Sequence, residues 1–194
     1  MMRDAERYEK IFSGTKPVAD NLKIDLLKLQ PWIDEFVPNA GAIDSVEQFK
    51  GGQSNPTYKI ITKNKNLVLR RKPPGKLLPS AHAVDREYKV ITALHNTDVP
   101  VPKTYGLCED DDVAGTTFFM MDCLDGDIYW DPMLPSLSKE KRIKVYKNKN
   151  KTLAALHSID YQKIGLQDYG KPGNYVARQV SRLSLIHISE PTRR

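Results

Sequence analysis

Residues 51–95 read GGQSNPTYKIITKNKNLVLRRKPPGKLLPSAHAVDREYKVITALH, and the periodicities in this stretch decide the fold. Thr57–Thr62 and Leu67–Arg70 are β-prone runs joined by Lys63-Asn64-Lys65-Asn66, a polar connection of hairpin length. Pro73-Pro74-Gly75 forces a loop, after which Ala83–His95 reads as a helix. Val84, Glu87, Tyr88, Ile91 and Leu94 share one face of that helix, so Glu87 lies inside an apolar stripe. A carboxylate there is costly to bury unless it meets a cation, and the strand ending at Arg70 delivers a guanidinium from the sheet. Ahead of both strands lies the turn Gly51-Gly52-Gln53-Ser54-Asn55. Its glycines let the backbone come close to a phosphate, and Ser54 and Asn55 can hold the turn or donate to oxygens. By itself such a turn is ordinary.

On the N-terminal side, Leu22, Leu26, Leu29, Ile33 and Phe36 recur at helical spacing. They predict a helix over 20–36, capped by Asp20, ended by Pro38 and packed on the outside of the strands. Ser45–Phe49 reads as a short strand. On the C-terminal side, Pro100-Val101-Pro102 is an extended connector. Lys103–Cys108 and Thr116–Met121 come next as a strand pair turning at Glu109–Asp112, and a helix capped by Ser138 runs to about His157. Strands early and helices late make the class α+β. The order is small-residue turn, strand cation, helix glutamate, then a strand running into Met121-Asp122-Cys123-Leu124. It matches the order of parts with which kinases hold ATP, the last being a hinge whose backbone meets adenine.

The totals narrow the classes. The chain has 194 residues, 40% hydrophobic and 28% charged, and no apolar run reaches the roughly 20 residues of a membrane span. Acids and bases alternate through Met1–Arg7 with no apolar core after them, which argues against a signal peptide. Cys108 and Cys123 have no partners at metal-ligand spacing and read as reduced thiols, giving an intracellular location. The formal net charge is +6, much of it local: Lys147, Lys149 and Lys151 alternate with Asn148 and Asn150. No aromatic residues interleave, so the expectation is a solvated helix face and no nucleic-acid partner.

The motifs at 52–58 (GQSNPTY), 67–75 (LVLRRKPPG) and 77–88 (LLPSAHAVDREY) resemble the aminoglycoside-phosphotransferase and choline-kinase-like family. Those at 99–103 (VPVPK) and 131–135 (DPMLP) narrow the resemblance to the kinase-like domain at the N-terminus of long eukaryotic acyl-CoA dehydrogenases. It covers residues 45–182. It implies a protein-kinase-like N-lobe, an antiparallel sheet plus one helix, with a hinge and the first helices of a helical C-lobe. The domains expected are an N-terminal helical extension at 1–44, the N-lobe with hinge at 45–124 and the truncated start of the C-lobe at 125–182. By position, Gly51, Gly52, Gln53, Ser54 and Asn55 become the phosphate loop. Arg70 stands where most kinases place lysine and pairs with Glu87, and Met121, Asp122, Cys123 and Leu124 become the hinge. The resemblance further implies ATP and Mg2+ as cofactors and a small-molecule hydroxyl acceptor, with a hydroxyacyl-CoA as one acceptor. An acyl-CoA dehydrogenase domain is implied elsewhere in a full-length chain.

Phosphoryl transfer needs an aspartate to orient the acceptor and ligands for magnesium. The family carries them on a His-Gly-Asp loop and a following Asp-Trp or Asp-Phe segment, and neither occurs here. His157-Ser158-Ile159-Asp160 and Asp168-Tyr169-Gly170 imitate them in the wrong context and read as a helix end and a turn. No catalytic or metal-binding residue is therefore assigned, and the chain as written is expected to be inactive. Residues 183–194 begin Leu-Ser-Leu-Ile-His-Ile-Ser-Glu-Pro-Thr-Arg, which resembles a translated sequencing adapter, so a non-native tail is expected there. Two other classes remain open: a catalytically silent nucleotide-binding or interaction module, and a basic nucleic-acid binder, for which only the charge speaks.

Overall fold

In the computed structural model, residues 11–51, 54–75, 82–171 and 173–189 are described. The chain divides into two compact units between Ile159 and Asp160. The first is built on a six-stranded sheet of β1 (Thr15–Lys16), β2 (Ile43–Phe49), β3 (Thr57–Thr62), β4 (Asn66–Arg71), β5 (Thr104–Cys108) and β6 (Phe118–Asp122). Their order is β1-β2-β3-β4-β6-β5, with every neighbouring pair antiparallel. The α+β class expected from the sequence is what forms. The hairpin β3–β4 sits at its centre, and the 104–122 strand pair continues the sheet.

A strand's period of two sorts its side chains onto opposite faces. On one face Tyr58 and Ile60 of β3 stand opposite Leu69 and Leu67 of β4, and all four are fully buried. They form the core with Leu29, Trp32 and Ile33 of α1 (Leu26–Phe36) and with Phe118 and Met120 of β6. The Trp32 ring meets Phe118 edge-on at 5.0 Å and stacks on Phe36 at 4.7 Å. Gly106 of β5 lets the indole lie this close, because a Cβ there would come within 3.0 Å of Trp32 Cζ2. The other face carries α2 (Val84–Leu94), which packs on β5 and β6 with Tyr88 against Phe119 at 6.0 Å.

Two expectations need correction. The helix expected over 20–36 is a 3-10 turn at Asp20–Leu22 followed by α1, and Asp25, not Asp20, caps it, accepting from Leu27 N at 3.0 Å. The physical reason lies in the sheet. The Leu22 carbonyl accepts from Tyr58 Oη at 2.9 Å and from an Arg71 terminal nitrogen at 2.8 Å, so it is withdrawn from any helical ladder. The turn expected at Glu109–Asp112 is a single-turn helix, α3 (Asp111–Ala114). Asp110 caps it and Gly115, with φ 81°, closes it in a left-handed conformation glycine adopts without strain.

Ser138 caps α4 (Lys139–His157) as expected, accepting from Lys141 N. None of its residues is buried, and Ile143, Tyr146, Leu153 and Leu156 are exposed. This helix holds seven lysines and arginines and one acid, an excess of six that equals the formal charge of the whole chain. The rest of the chain is neutral in balance, so the basic character belongs to one solvated helix. In the second unit, α5 (Tyr175–Ser189) runs helically through Arg182 and beyond it. No described helix is long and apolar enough to cross a membrane.

Candidate functional site

Arg70 is the fifth residue of β4 and points to the α2 face, the opposite side from the aromatic core. Its partner across the hairpin is Thr57 and across β6 is Phe119. The helix brings Glu87 to it. Arg70 Nε donates to Glu87 Oε2, and a terminal nitrogen donates to Oε1 at 3.2 Å, a two-point contact that fixes the carboxylate's plane as well as its distance. The second terminal nitrogen donates to Thr57 Oγ1 at 2.9 Å, and that hydroxyl donates to the Asn55 carbonyl at 3.1 Å. The Asn55 amide nitrogen then donates to Glu87 Oε1 at 3.1 Å, which closes a ring of hydrogen bonds through Asn55, Thr57, Arg70 and Glu87. The ion pair is half-buried, with side-chain exposures of 28% and 36%, so water still screens it and its direct contribution to stability is modest. Its value is geometric. A second strand-to-helix pair, Lys72 with Asp85 at 3.4 Å, fastens the start of α2 beside it.

Of the residues assigned to the phosphate loop, Gly52 and Gln53 lie outside the described residues. Gly51 begins the turn under a tight roof: an added Cβ would stand 3.0 Å from the Phe12 carbonyl oxygen and 3.9 Å from Trp130. Trp130 donates its indole N–H to Ser13 Oγ at 2.8 Å and lies against the Phe12 ring at 5.1 Å. Ser54 is exposed. Asn55 is buried at 4% exposure, and its side chain faces Glu87 and His82 instead of open solvent, with His82 Nδ1 at 2.8 Å from Asn55 Oδ1. The Asn55 side chain therefore braces the ion pair.

At the assigned hinge, Met121 and Asp122 are the last residues of β6 and remain in the ladder with β4. Asp122 N donates to the Lys103 carbonyl at 2.9 Å and Cys123 N to the Asn66 carbonyl at 3.3 Å. Those two donors are committed to the sheet, and Leu124 is exposed. The Asp122 carboxylate accepts from Tyr105 Oη at 2.5 Å. Burial, that hydrogen bond and the charge of Asp122 push the Tyr105 phenol up to about 12. Burial also pushes the Cys123 thiol up, with Lys59 opposing and Asp125 adding to the shift. Cys108 is raised as well, first by burial. Both cysteines are free, and neither is poised as a thiolate nucleophile.

Asp160 belongs to the second unit. Its carboxylate accepts from Gln162 N at 3.1 Å and Lys163 N at 3.4 Å, a local turn in the second unit. Among the described residues no three side chains of metal-binding type gather. Sequence reasoning missed Thr57, His82 and Trp130. The first was hidden in a strand run, the second sat in a quoted motif without a role, and Trp130 joins Ser13 across more than a hundred residues of chain.

The sequence profile described as the phosphotransferase enzyme family matches residues 45–193. Among relatives, the chain is 51% identical to "Probable acyl-CoA dehydrogenase IBR3" of Arabidopsis thaliana over 71% of its own length and 17% of that protein's. It is 42% identical to acyl-CoA dehydrogenase family member 10 of Mus musculus over 86% of its length and 16% of that protein's. The chain thus spans less than a fifth of these relatives. A crystal structure from Ralstonia eutropha, named as a candidate aminoglycoside phosphotransferase, superposes with a TM-score of 0.74 at 44% identity, over 88% of this chain and 50% of that one. With Arg70, Glu87 and Asn55 brought together on one face of the sheet, and with the profile matching most of its length, the chain belongs to the phosphotransferase enzyme family.

Proposed function

We propose that this chain supplies the ATP-gripping part of a kinase that phosphorylates a hydroxyl on a small molecule, and that by itself it transfers no phosphate. The observation that carries the reading is the closed ring through Asn55, Thr57, Arg70 and Glu87. An arginine held in plane by a carboxylate keeps further N–H donors on its terminal nitrogens, and a guanidinium edge suits two oxygens of a phosphate chain. The Glu87 carboxylate would keep Arg70 from swinging into solvent when no nucleotide is bound. In the transfer itself, the acceptor oxygen forms a bond to the γ-phosphorus as the bond to the bridging β-γ oxygen breaks, and the acceptor's proton must go to a base. Mg2+ is a family expectation, and among the described residues no three side chains of metal-binding type gather to hold it.

That base is the group the chain lacks in sequence, having no His-Gly-Asp loop. General-base help is typically worth about 10²–10⁴-fold, and alignment of the acceptor adds to it. The exposed apolar residues of α4 fit a helix that waits for the remainder of a second lobe. The acyl-CoA dehydrogenase relatives favour a hydroxyl borne on an acyl-CoA as acceptor, with an acyl-CoA dehydrogenase domain elsewhere in the full-length protein. The test compares full-length protein with the 194-residue chain for ATP turnover against hydroxyacyl-CoA and other hydroxyl acceptors, alongside calorimetric titration of both with ATP. Turnover confined to the full-length form, with at best weak ATP binding by the chain, is the expected result. Micromolar ATP binding by the chain without turnover in either form would favour a silent nucleotide-binding module. Turnover by the chain itself would overturn the reading.

A further inference from the structure

Asn55 is the most buried polar residue of the site, and both ends of its amide are engaged. The order of hydrogens along this path follows from chemistry. A carboxylate only accepts, so the amide nitrogen of Asn55 must face Glu87 Oε1 and its oxygen must face His82. An amide oxygen also only accepts, so His82 Nδ1 must carry the hydrogen. His82 reaches this position with φ 58°, a left-handed conformation that residues other than glycine and asparagine seldom take. Its carbonyl accepts from Val84 N at 2.8 Å, which ties the same residue to the first turn of α2. Three pieces of chain therefore meet through one buried amide: the end of the small-residue turn, the approach to α2, and the carboxylate that α2 presents to β4.

We propose that Asn55 and His82 are positioning residues. His82, carrying its hydrogen on Nδ1, orients the Asn55 amide, and Asn55 holds the Glu87 carboxylate in the plane of Arg70, so that Asn55 and α2 are tied to one arrangement. Both act on Arg70 through Glu87. The consequence for ATP rests on the function proposed above, whereas the hydrogen order does not.

The hydrogen order is read by 15N-correlated NMR of the histidine rings in the 194-residue chain, above the ordinary imidazole titration range. The expected signature for His82 is the Nδ1–H tautomer, the minority form of a free imidazole, reverting to Nε2–H in Asn55→Ala. In the full-length protein, Asn55→Ala raises KM for ATP about tenfold, as expected for a lost hydrogen bond to a charged group, with a smaller change in kcat. His82→Ala raises it about threefold, as for a neutral bond. His82→Asn keeps an amide nitrogen where Nδ1 stood and tolerates the left-handed backbone, so it restores KM to within about twofold. An Nε2–H tautomer in the wild type would overturn the proposal. So would a KM left unmoved by Asn55→Ala, or a His82→Asn variant no better than His82→Ala. If the wild-type protein does not use ATP, the functional reading and its consequence fall, and the tautomer still decides the hydrogen order.

Discussion

Arg70 and Arg71 are neighbours in one strand with the same side chain, and the structure gives them opposite lives. Arg70 stands on the α2 face, half-exposed, locked to Glu87 and Thr57. Arg71 turns into the core face at 4% exposure. Its terminal nitrogens donate to the Ala114 carbonyl at 2.5 Å and the Leu22 carbonyl at 2.8 Å, and its guanidinium lies 5.1 Å from the Tyr58 ring centre. Its Nε is a buried nitrogen without a hydrogen-bond partner. One arginine joins strand to helix and keeps further N–H donors on its terminal nitrogens. The other joins the sheet to α3 and to the N-terminal segment, with no donor facing solvent. The difference comes from the period of the strand, since residue type cannot tell them apart. Function depends on which face is left partly wet.

Substitutions that treat the two arginines differently test this contrast. The largest effect is expected from Arg71→Ala, which leaves the Ala114 carbonyl buried without a donor and removes packing over Tyr58. It should lower unfolding free energy by about 3 kcal/mol in urea titration. An unchanged midpoint would show that Arg71 is not the clamp described. On the same face, Gly106→Val should cost about 1–3 kcal/mol, because the new side chain meets Trp32 and Phe36 in a packed core. Thermal melts of the valine and alanine variants should rank by side-chain size. Arg70→Ala reverses the pattern: stability falls by about 1 kcal/mol or less, while ATP affinity of the full-length protein drops about tenfold or more. Equal stability losses at 70 and 71 would erase the distinction between the faces. Tyr58→Phe is a finer probe. It removes one of the two donors to the Leu22 carbonyl and should cost about 1 kcal/mol, since Arg71 still satisfies that oxygen.

The smallest effect at neutral pH lies away from both arginines. The Tyr105 phenol is raised from the ordinary 10 to about 12 in the folded chain. Below pH 10 both folded and unfolded states keep the proton, and stability is unaffected. Between pH 10 and 12 the unfolded chain ionises first, so stability falls as pH rises through that window. Tyr105→Phe should flatten the fall, as followed by unfolding midpoints across the window. The hydrogen bond to Asp122 would then be lost at all pH values.

Much of this protein was legible before any coordinates. Two β-prone runs with a polar connection gave the hairpin at 57–71, the one-faced stripe gave the helix at 84–94, and a carboxylate inside that stripe demanded a cation that the strand ending could supply. These are local regularities with fixed periods, and the charge argument adds only that a half-buried carboxylate seeks a partner. The Asp20 cap failed because the competing bonds of Leu22 come from Tyr58 and Arg71, tens of residues away in the chain. The role of Asn55 was hidden for the same reason. Its sequence neighbours suggest a phosphate loop, yet its amide is claimed by Glu87 and His82, which lie about thirty residues further along the chain. Sequence determined the elements and the existence of the strand-to-helix ion pair, because both follow from periodicity and desolvation within short segments. Only the tertiary structure decided that Arg71 is the buried arginine, that Thr57 and Asn55 close the ring, and that His82 stands behind it. A hydrogen bond needs its two partners within about 3 Å, and residues distant in sequence reach that distance only when the sheet and its two faces are assembled.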